Sequence, residues 1–360
     1  MNYCGIYTLA NDHVYDQLVA LLNSIEVNIG IDIPVCIIPF DHQLERVQQE
    51  IKLRPNVSLF EDWDAIHRWE NFAKDVIAAH PKAIATNFNH PRWYNGRLHR
   101  KFAAFDGEFD KFVFFDGDSL AMKPIDDIFG KLDRYDFVFD DWEHAKSTAK
   151  AALNIPLIET TGQFSEDEIR EKLHCSSFFG SKRGLFERAT LQKLKDRLIN
   201  DQEISWVNGN GWWDDAFLFN YLTLSNDRTL FNFTRSKNGH ERTGNCANAD
   251  PFLAVEVLYN HQGLKPIHRI HYMGYSANDF KRLCQGEDAG ICYQDTFLTY
   301  RFLKQPDQKP KLLKRQNFFQ VTIQSLKKVA SKIAQKINLK EMGLRSKTNS
   351  LPSSNSLPSS

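Results

Sequence analysis

From Tyr3 to Phe139 the chain alternates short apolar runs with stretches whose apolar residues recur at helical spacing. Tyr3 to Leu9 predicts an opening strand. Asp12 to Asn28 predicts a helix, with Tyr15, Leu18, Leu21, Leu22 and Ile25 at steps of three and four. Ile33 to Phe40 (IPVCIIPF) is a continuous apolar strand, with its two prolines near the ends. Gln43 to Ile51 predicts a helix, Val57 to Phe60 a strand and Asp64 to Ala79 a helix. Arg97 to Phe105 predicts a helix ended by Asp106-Gly107. Phe112 to Phe115 is the strongest strand signal and runs straight into Asp116-Gly117-Asp118. Phe137 to Phe139, Cys175 to Phe179 and Ile267 to Met273 predict further strands, and Leu185 to Ile199 an amphipathic helix. Asp214 to Leu224 predicts a helix opening with two acids, where the helix dipole favours negative charge. His144 to Ser165 shows no clear period, and Gly209-Asn210-Gly211 predicts a loop. Strands that are apolar throughout, set between amphipathic helices, indicate a mostly parallel sheet covered on both faces, hence an α/β fold.

Composition narrows the class. At 360 residues the chain has room for one or two domains of ~150 residues. Twenty-seven phenylalanines and 42% hydrophobic residues exclude disorder over most of its length. The six cysteines form no Cys-x-x-Cys pair, so they read as packing thiols rather than a metal or redox site. No run approaches 18 apolar residues, and the start, MNYCGIYTLANDH, has neither a charged n-region nor a long apolar h-region. A cytoplasmic location is therefore expected.

Formal charge is zero overall but unevenly spread. Residues 306–360 hold eleven Lys/Arg against two acids, so the tail is +9 and the body −9. A body of that sign is a poor nucleic-acid binder. Within the tail, Phe319, Ile323, Leu326, Ala330, Ile333 and Ile337 share one helical face, with Lys327, Lys328, Lys332, Lys336 and Lys340 largely off it. This 319–340 segment predicts a basic amphipathic helix. It is suited to an anionic membrane surface, peripheral at the inner face, or to packing on the acidic body. The last twelve residues are NSLPSS written twice and predict a disordered end.

The candidate chemistry centres on Asp116-Gly117-Asp118. Ligands of open α/β sheets sit at the carboxyl ends of strands. Two carboxylates separated by one glycine can converge there on Mg²⁺ or Mn²⁺, which completes its shell with phosphates and water. The plainer alternative is a turn using Asp and Gly for their backbone preferences.

The wider pattern resembles GT-A glycosyltransferases. Tyr7-Thr8-Leu9-Ala10-Asn11-Asp12 with Tyr15 and Leu21-Leu22-Asn23-Ser24 is similar to their opening. Arg100-Lys101 followed by residues 109–120 (FDKFVFFDGDSL) resembles their metal block, especially that of family 8, the glycogenin and galactinol synthase group. Ser176-Ser177-Phe178-Phe179-Gly180, Trp213-Asp214-Asp215 and Ile270-His271-Tyr272-Met273-Gly274 continue the likeness, which spans about residues 3 to 275. It implies a Rossmann-like GT-A catalytic domain over 1–305; the charge and periodicity of the remainder predict a basic amphipathic helical extension over 306–346 and a disordered Ser/Pro tail over 347–360. It also implies a nucleotide-sugar donor, with UDP the expected nucleotide, and a glycan or lipid-linked acceptor. Asp116, Asp118 and His271 would hold Mn²⁺ or Mg²⁺. Thr8, Asn11 and Asp12 would face the nucleoside, with Tyr15 nearby, and Arg100 or Lys101 would orient the donor. Strand alternation puts His268 and His271 on opposite faces, so only one can meet the metal. Asp214 and Asp215 would form the catalytic edge, as general base in an inverting enzyme or as stabiliser of positive charge in a retaining one. Trp212 and Trp213 suggest a sugar-stacking surface. Family 8 places a lysine six residues after the ligand histidine; here that position is Ala277, with Lys281 or Arg282 a turn further on.

Two other classes compete. Residues 114–120 (FFDGDSL) also resemble the first motif of haloacid-dehalogenase-type phosphatases, with Asp140-Asp141 as the downstream acidic pair. That pair follows too soon for the intervening elements such a fold needs. A non-catalytic sugar-nucleotide-binding protein is the other, and the retention of both Asp116 and Asp118 argues against it.

Overall fold

A computed structural model of the chain describes residues 3–86, 96–146, 153–206, 212–235, 244–246, 252–254, 258–260 and 267–314. The expected loop at 209–211, the basic helix at 319–340 and the NSLPSS end lie outside the described residues. The strands are β1 (Cys4–Ala10), β2 (Val35–Pro39), β3 (Val57–Leu59), β4 (Lys111–Asp116), β5 (Ser119–Ala121), β6 (Phe137–Phe139), β7 (Phe178–Lys182), β8 (Leu230–Asn232), β9 (Gly244–Cys246), β10 (Phe252–Ala254), β11 (Leu258–Asn260) and β12 (Arg269–His271). The α-helices are α1 (Tyr15–Asn28), α2 (Glu45–Ile51), α3 (Trp63–Ala78), α4 (Pro81–Thr86), α5 (Asp126–Lys131), α6 (Ile155–Thr160), α7 (Glu166–Lys172), α8 (Arg188–Ile199), α9 (Asp215–Ser225), α10 (Ala277–Cys284) and α11 (Gln294–Arg301).

Seven strands form the central sheet in the order β3-β2-β1-β4-β7-β6-β8. Pairing is parallel from β3 through β4 and between β6 and β8, and antiparallel where β7 meets β4 and β6. This is the mostly parallel α/β architecture that the apolar runs require. Both faces are buried, as the pleat shows: Phe112 and Phe114 of β4 enter one core with Tyr7, Trp69, Phe105 and Phe219, while Val113 and Phe115 enter the other with Ile6, Leu21 and Val47. Gly180 in β7 is demanded by closeness, since a Cβ there would lie 2.5 Å from the Ile128 side chain of α5.

Beyond β4 the chain turns into β5, which joins β12 and β9 in a small second sheet. This sheet packs on α1, α10 and α11 through Ala20, Leu120, Ile270, Tyr272, Phe280 and Phe297. Residues 306–314 return to the body, where Lys314 exchanges backbone bonds with Gly286 and Asp288.

The strand expected at Ile267–Met273 shortens to Arg269–His271 and the helix expected from Asp12 opens with a 3₁₀ turn, Asp12–Val14; two further elements differ more. The strand expected at Cys175–Phe179 begins at Phe178. The Cys175 amide donates instead to Asp141 Oδ2 (2.8 Å), and the Ser177 carbonyl accepts from Asp116 N (2.9 Å). The helix expected at Arg97–Phe105 is a 3₁₀ helix, Arg97–Asp106, entered through Gly96 at φ 75°. With three residues per turn it aims successive side chains 120° apart, which decides what Arg100 and Lys101 touch.

Candidate active site

The site begins at the carboxyl end of β4. Leu9 pairs with Asp116 across the β1–β4 ladder, and Gly117 follows with its Cα against the Leu9 carbonyl, where a Cβ would come within 3.0 Å. That contact explains the glycine between the two acids. β5 then runs antiparallel to β12 and sets Ser119 opposite His271, while the Asp118 carbonyl accepts from Tyr272 N at 2.9 Å. The result is a convergence: His271 Nε2 lies 3.3 Å from Asp118 Oδ1 and 4.0 Å from Asp116 Oδ2. One ligand atom from each of Asp116, Asp118 and His271 falls within 4.8 Å of the others. Two carboxylate oxygens and an imidazole nitrogen form a donor set suited to Mn²⁺ or Mg²⁺ with positions left for phosphate and water, so the residues fit the expected metal. Burial raises the Asp116 carboxyl above its usual range, with Asp118 adding to the rise against the pull of Lys101. For Asp118 burial also opposes ionisation, but His271 outweighs it and the carboxyl is held low.

His268 faces away from this cluster. Its Nε2 meets Asp127 Oδ2 at 3.1 Å, and its ring packs against Phe178 and Phe233. His271→Ala is therefore expected to weaken Mn²⁺ binding by tenfold or more. His268→Ala is expected to lower thermal stability without changing the Mn²⁺ requirement. Titrating Mn²⁺ against each variant checks this, and equal or reversed Mn²⁺ demands would break the assignment.

The structure sends Arg100 and Lys101 to different partners. Arg100 turns to Glu70, with bonds of 2.9 and 3.2 Å, and to the Pro39 carbonyl. Lys101 is 2% exposed and reaches Asp116 Oδ1 at 2.9 Å, Asp215 Oδ2 at 2.7 Å and the Ser176 carbonyl at 3.3 Å. Burial alone would discharge this lysine, but the two carboxylates outweigh it and keep its ammonium protonated.

Asp214 and Asp215 open α9 and diverge as neighbours on a helix do. Asp214 is the N-cap, its Oδ1 accepting from Ala216 N at 2.8 Å. Burial, and then the Asp215 charge beside it, push its carboxyl up. Burial acts on Asp215 too, but Lys101 and then His99 overcome it and hold that carboxyl low. Trp212 is buried and stacked on His80, 4.3 Å between ring centroids, and Trp213 is half-buried against the same core.

The nucleoside-side candidates run from β1 into the start of α1. Thr8 is buried in β1, and its Oγ1 makes no hydrogen bond among the described residues. The Asn11 amide donates to Asp41 and accepts from His13 N. Asp12 Oδ1 accepts from Val47 N in α2 (3.0 Å), and the Tyr15 hydroxyl donates to Glu50 Oε2 (2.8 Å). Asp12, in the 3₁₀ turn Asp12–Val14 that leads into α1, and Tyr15, the first residue of α1, thus tie this segment to α2. The sequence reading did not single out Asp41, His99 or the Ser176 carbonyl. Asp41 and His99 sit in no motif, and the third is a backbone atom.

Ala277 stands at the start of α10, whose N-cap Ser276 forms a capping box with Asp279. Arg282 is engaged with Glu287 at 2.8 Å, whereas Lys281 is exposed with no ion-pair partner among the described residues.

The downstream acids of the phosphatase alternative are otherwise employed. Asp140 bonds Arg269 at 3.0 Å, and Asp141 accepts from the backbone amides of Cys175 and Glu143. The fold does not favour that alternative. Its nature emerges from comparison with known structures. The chain is similar to the apo WbbM bifunctional glycosyltransferase, with a TM-score of 0.52 and 15% identity over 83% of this chain and 50% of that one. It thus spans half the length of the WbbM chain. Lower likenesses are to galactosyltransferase LgtC in complex with donor and acceptor sugar analogs (TM-score 0.49, 11% identity, 82% and 95% covered) and to apo mouse xyloside xylosyltransferase 1 (0.43, 8%, 64% and 84%). Both scores fall below 0.5, so the assignment rests on the first. A scan of protein-family models and a search of curated proteins gave no match. The chain has the fold of the GT-A glycosyltransferases, with an Asp-Asp-His cluster at the end of β4.

Proposed function

We propose that the protein is a metal-dependent glycosyltransferase that moves a sugar from a nucleotide-sugar donor, a UDP-sugar on this reading, to a glycan or lipid-linked acceptor. The observation that carries it is the convergence of Asp116, Asp118 and His271 at a strand end, with Lys101 joining Asp116 to Asp215. These three ligands would hold Mn²⁺ or Mg²⁺, which when bound neutralises the diphosphate leaving group. Thr8, Asn11, Asp12 and Tyr15 mark the nucleoside side, from β1 to the start of α1. Lys101 orients Asp116 for the metal and keeps Asp215 ionised. An ionised, desolvated carboxylate suits stabilisation of positive charge on the sugar. Asp214, with its raised carboxyl, suits acceptance of the acceptor's proton. Kinship with family 8 belongs to this reading and is supported by Ile270-His271-Tyr272-Met273-Gly274, while Ala277 departs from it. A lipid-linked acceptor would accord with the basic 319–340 segment.

A screen of sugar nucleotides for Mn²⁺-dependent hydrolysis and thermal stabilisation tests the proposal. One donor class should give both responses. A flat response to every sugar nucleotide, with or without Mn²⁺, would overturn it.

A further inference from the structure

Strand β12 carries His271 yet lies outside the seven-stranded sheet. Its backbone is held by β5 and β9 in a ladder of three residues. Bonds from Met122 N to the His268 carbonyl (2.8 Å) and from Tyr272 N to the Asp118 carbonyl (2.9 Å) continue the β5 pairing on either side of it. These bonds fix His271 relative to Asp118, but Asp116 belongs to the central sheet, and metal ligation tolerates only a few tenths of an ångström, so the small sheet must also be held in place against the large one.

Two residues before His271, on the same side of the strand, Arg269 crosses to the central sheet. Its Nη2 donates to Asp140 Oδ1 at 3.0 Å, and its guanidinium lies over the Phe178 ring, 5.2 Å from the centroid. Asp140 directly follows β6 and Phe178 opens β7, so the side chain spans from the small sheet to two strands of the large one. Both partners are buried, Arg269 at 3% and Asp140 at 0% exposure. Asp140 Oδ2 makes no hydrogen bond among the described residues. The carboxylate therefore depends on this arginine, which comes from 129 positions away.

A buried ion pair is a poor source of stability, since desolvating two charges offsets most of their attraction, and apolar residues of similar volume often serve as well. In some proteins what such a pair supplies is alignment, because a slip leaves a charge buried and unpaired. We infer that the Arg269–Asp140 pair is a positioning device for the metal site: it locks β12 against β6 and β7 so that the His271 imidazole meets the two aspartates. The inference rests on the metal-dependent reading above. Neither residue touches the metal; both act through the strand that bears the ligand.

The test measures Mn²⁺ uptake by the full chain, followed by loss of the free-ion electron paramagnetic resonance signal, alongside thermal unfolding. Asp140→Ala should raise the Mn²⁺ Kd about tenfold, the scale seen when outer partners of metal ligands are removed. The double variant D140L/R269M removes both charges together and should recover most of the lost Tm. Its Kd should stay weak, because apolar packing does not enforce the alignment. An ion pair that only stabilises the fold predicts the opposite: Kd would return with Tm. Recovery of Kd in the double variant, or an unchanged Kd in Asp140→Ala, overturns the inference. Loss of fold in both variants makes the pair a folding element and overturns it too. A wild-type chain that takes up no Mn²⁺ overturns the metal reading itself, which is a separate and recognisable failure.

Discussion

Asp118→Asn is expected to lower metal-dependent turnover roughly a thousandfold while leaving the chain folded. A divalent ion contributes several kcal/mol of charge stabilisation at a phosphoryl leaving group, and ~1.4 kcal/mol corresponds to tenfold in rate. The carboxylate is one of two anionic donors in the Asp-Asp-His set, and asparagine offers a neutral oxygen in the same volume. The fold should tolerate the change because the Asp118 side chain is half-buried and makes its ion pair with His271, while its backbone carbonyl still holds Tyr272 N. Asp116→Asn should cost nearly as much in rate. It also removes one of the two carboxylates on Lys101, so a drop in melting temperature should accompany it. Turnover against Mn²⁺ concentration, with circular dichroism melts in parallel, checks both variants. Near-normal turnover of either at low Mn²⁺ would break the metal assignment.

The sheet and the position of the acids could be read from the sequence because they depend on local pattern. Phe112 to Phe115 is apolar at every position, which suits a strand buried on both faces, and the acids follow where such a strand must end. What could not be read depends on partners far along the chain. The antiparallel placement of β7 is set by its neighbours β4 and β6, and its Gly180, which looks like a strand terminator, sits in mid-strand because Ile128 occupies the space of a side chain. Where Arg100 and Lys101 point depends on a 3₁₀ geometry that periodicity does not distinguish from an α-helix. Even there the deciding contacts are Glu70 for one and Asp215 for the other, 30 positions back and 114 ahead. Asp140 shows the same limit. In the sequence it is half of an acidic pair after a strand, and only Arg269 from the distant β12 gives it a role.

Lys101 is where these long-range contacts bear most on stability. Lys101→Met is expected to destabilise the metal-free chain by about 3–5 kcal/mol at neutral pH, the usual cost of stranding a buried charge by removing its partner. Here two carboxylates, Asp116 and Asp215, lose their shared cation. Methionine matches the stem in length, so packing loss is a small part of the effect. The pH dependence separates the two causes. In the wild type Asp215 is held below its ordinary pKa, so its contribution is present at neutral pH and lost as pH falls through the folded value. In Lys101→Met, burial and the neighbouring acids are opposed only by His99 and Ser176, and that carboxyl is expected to rise above the unfolded value of ~3.9. The variant's penalty is then complete at neutral pH and relieved on acidification, as the folded state takes up the proton. The stability gap between the two chains should therefore shrink between pH 7.5 and pH 4.5. Adding Asp215→Asn to Lys101→Met should recover part of the loss at pH 7.5, because one uncompensated charge is gone. Urea unfolding at both pH values without added metal measures all three chains. A gap of equal size at the two pH values would mean that Lys101 acts by packing rather than by charge, and the electrostatic link between Asp116 and Asp215 would fall with it.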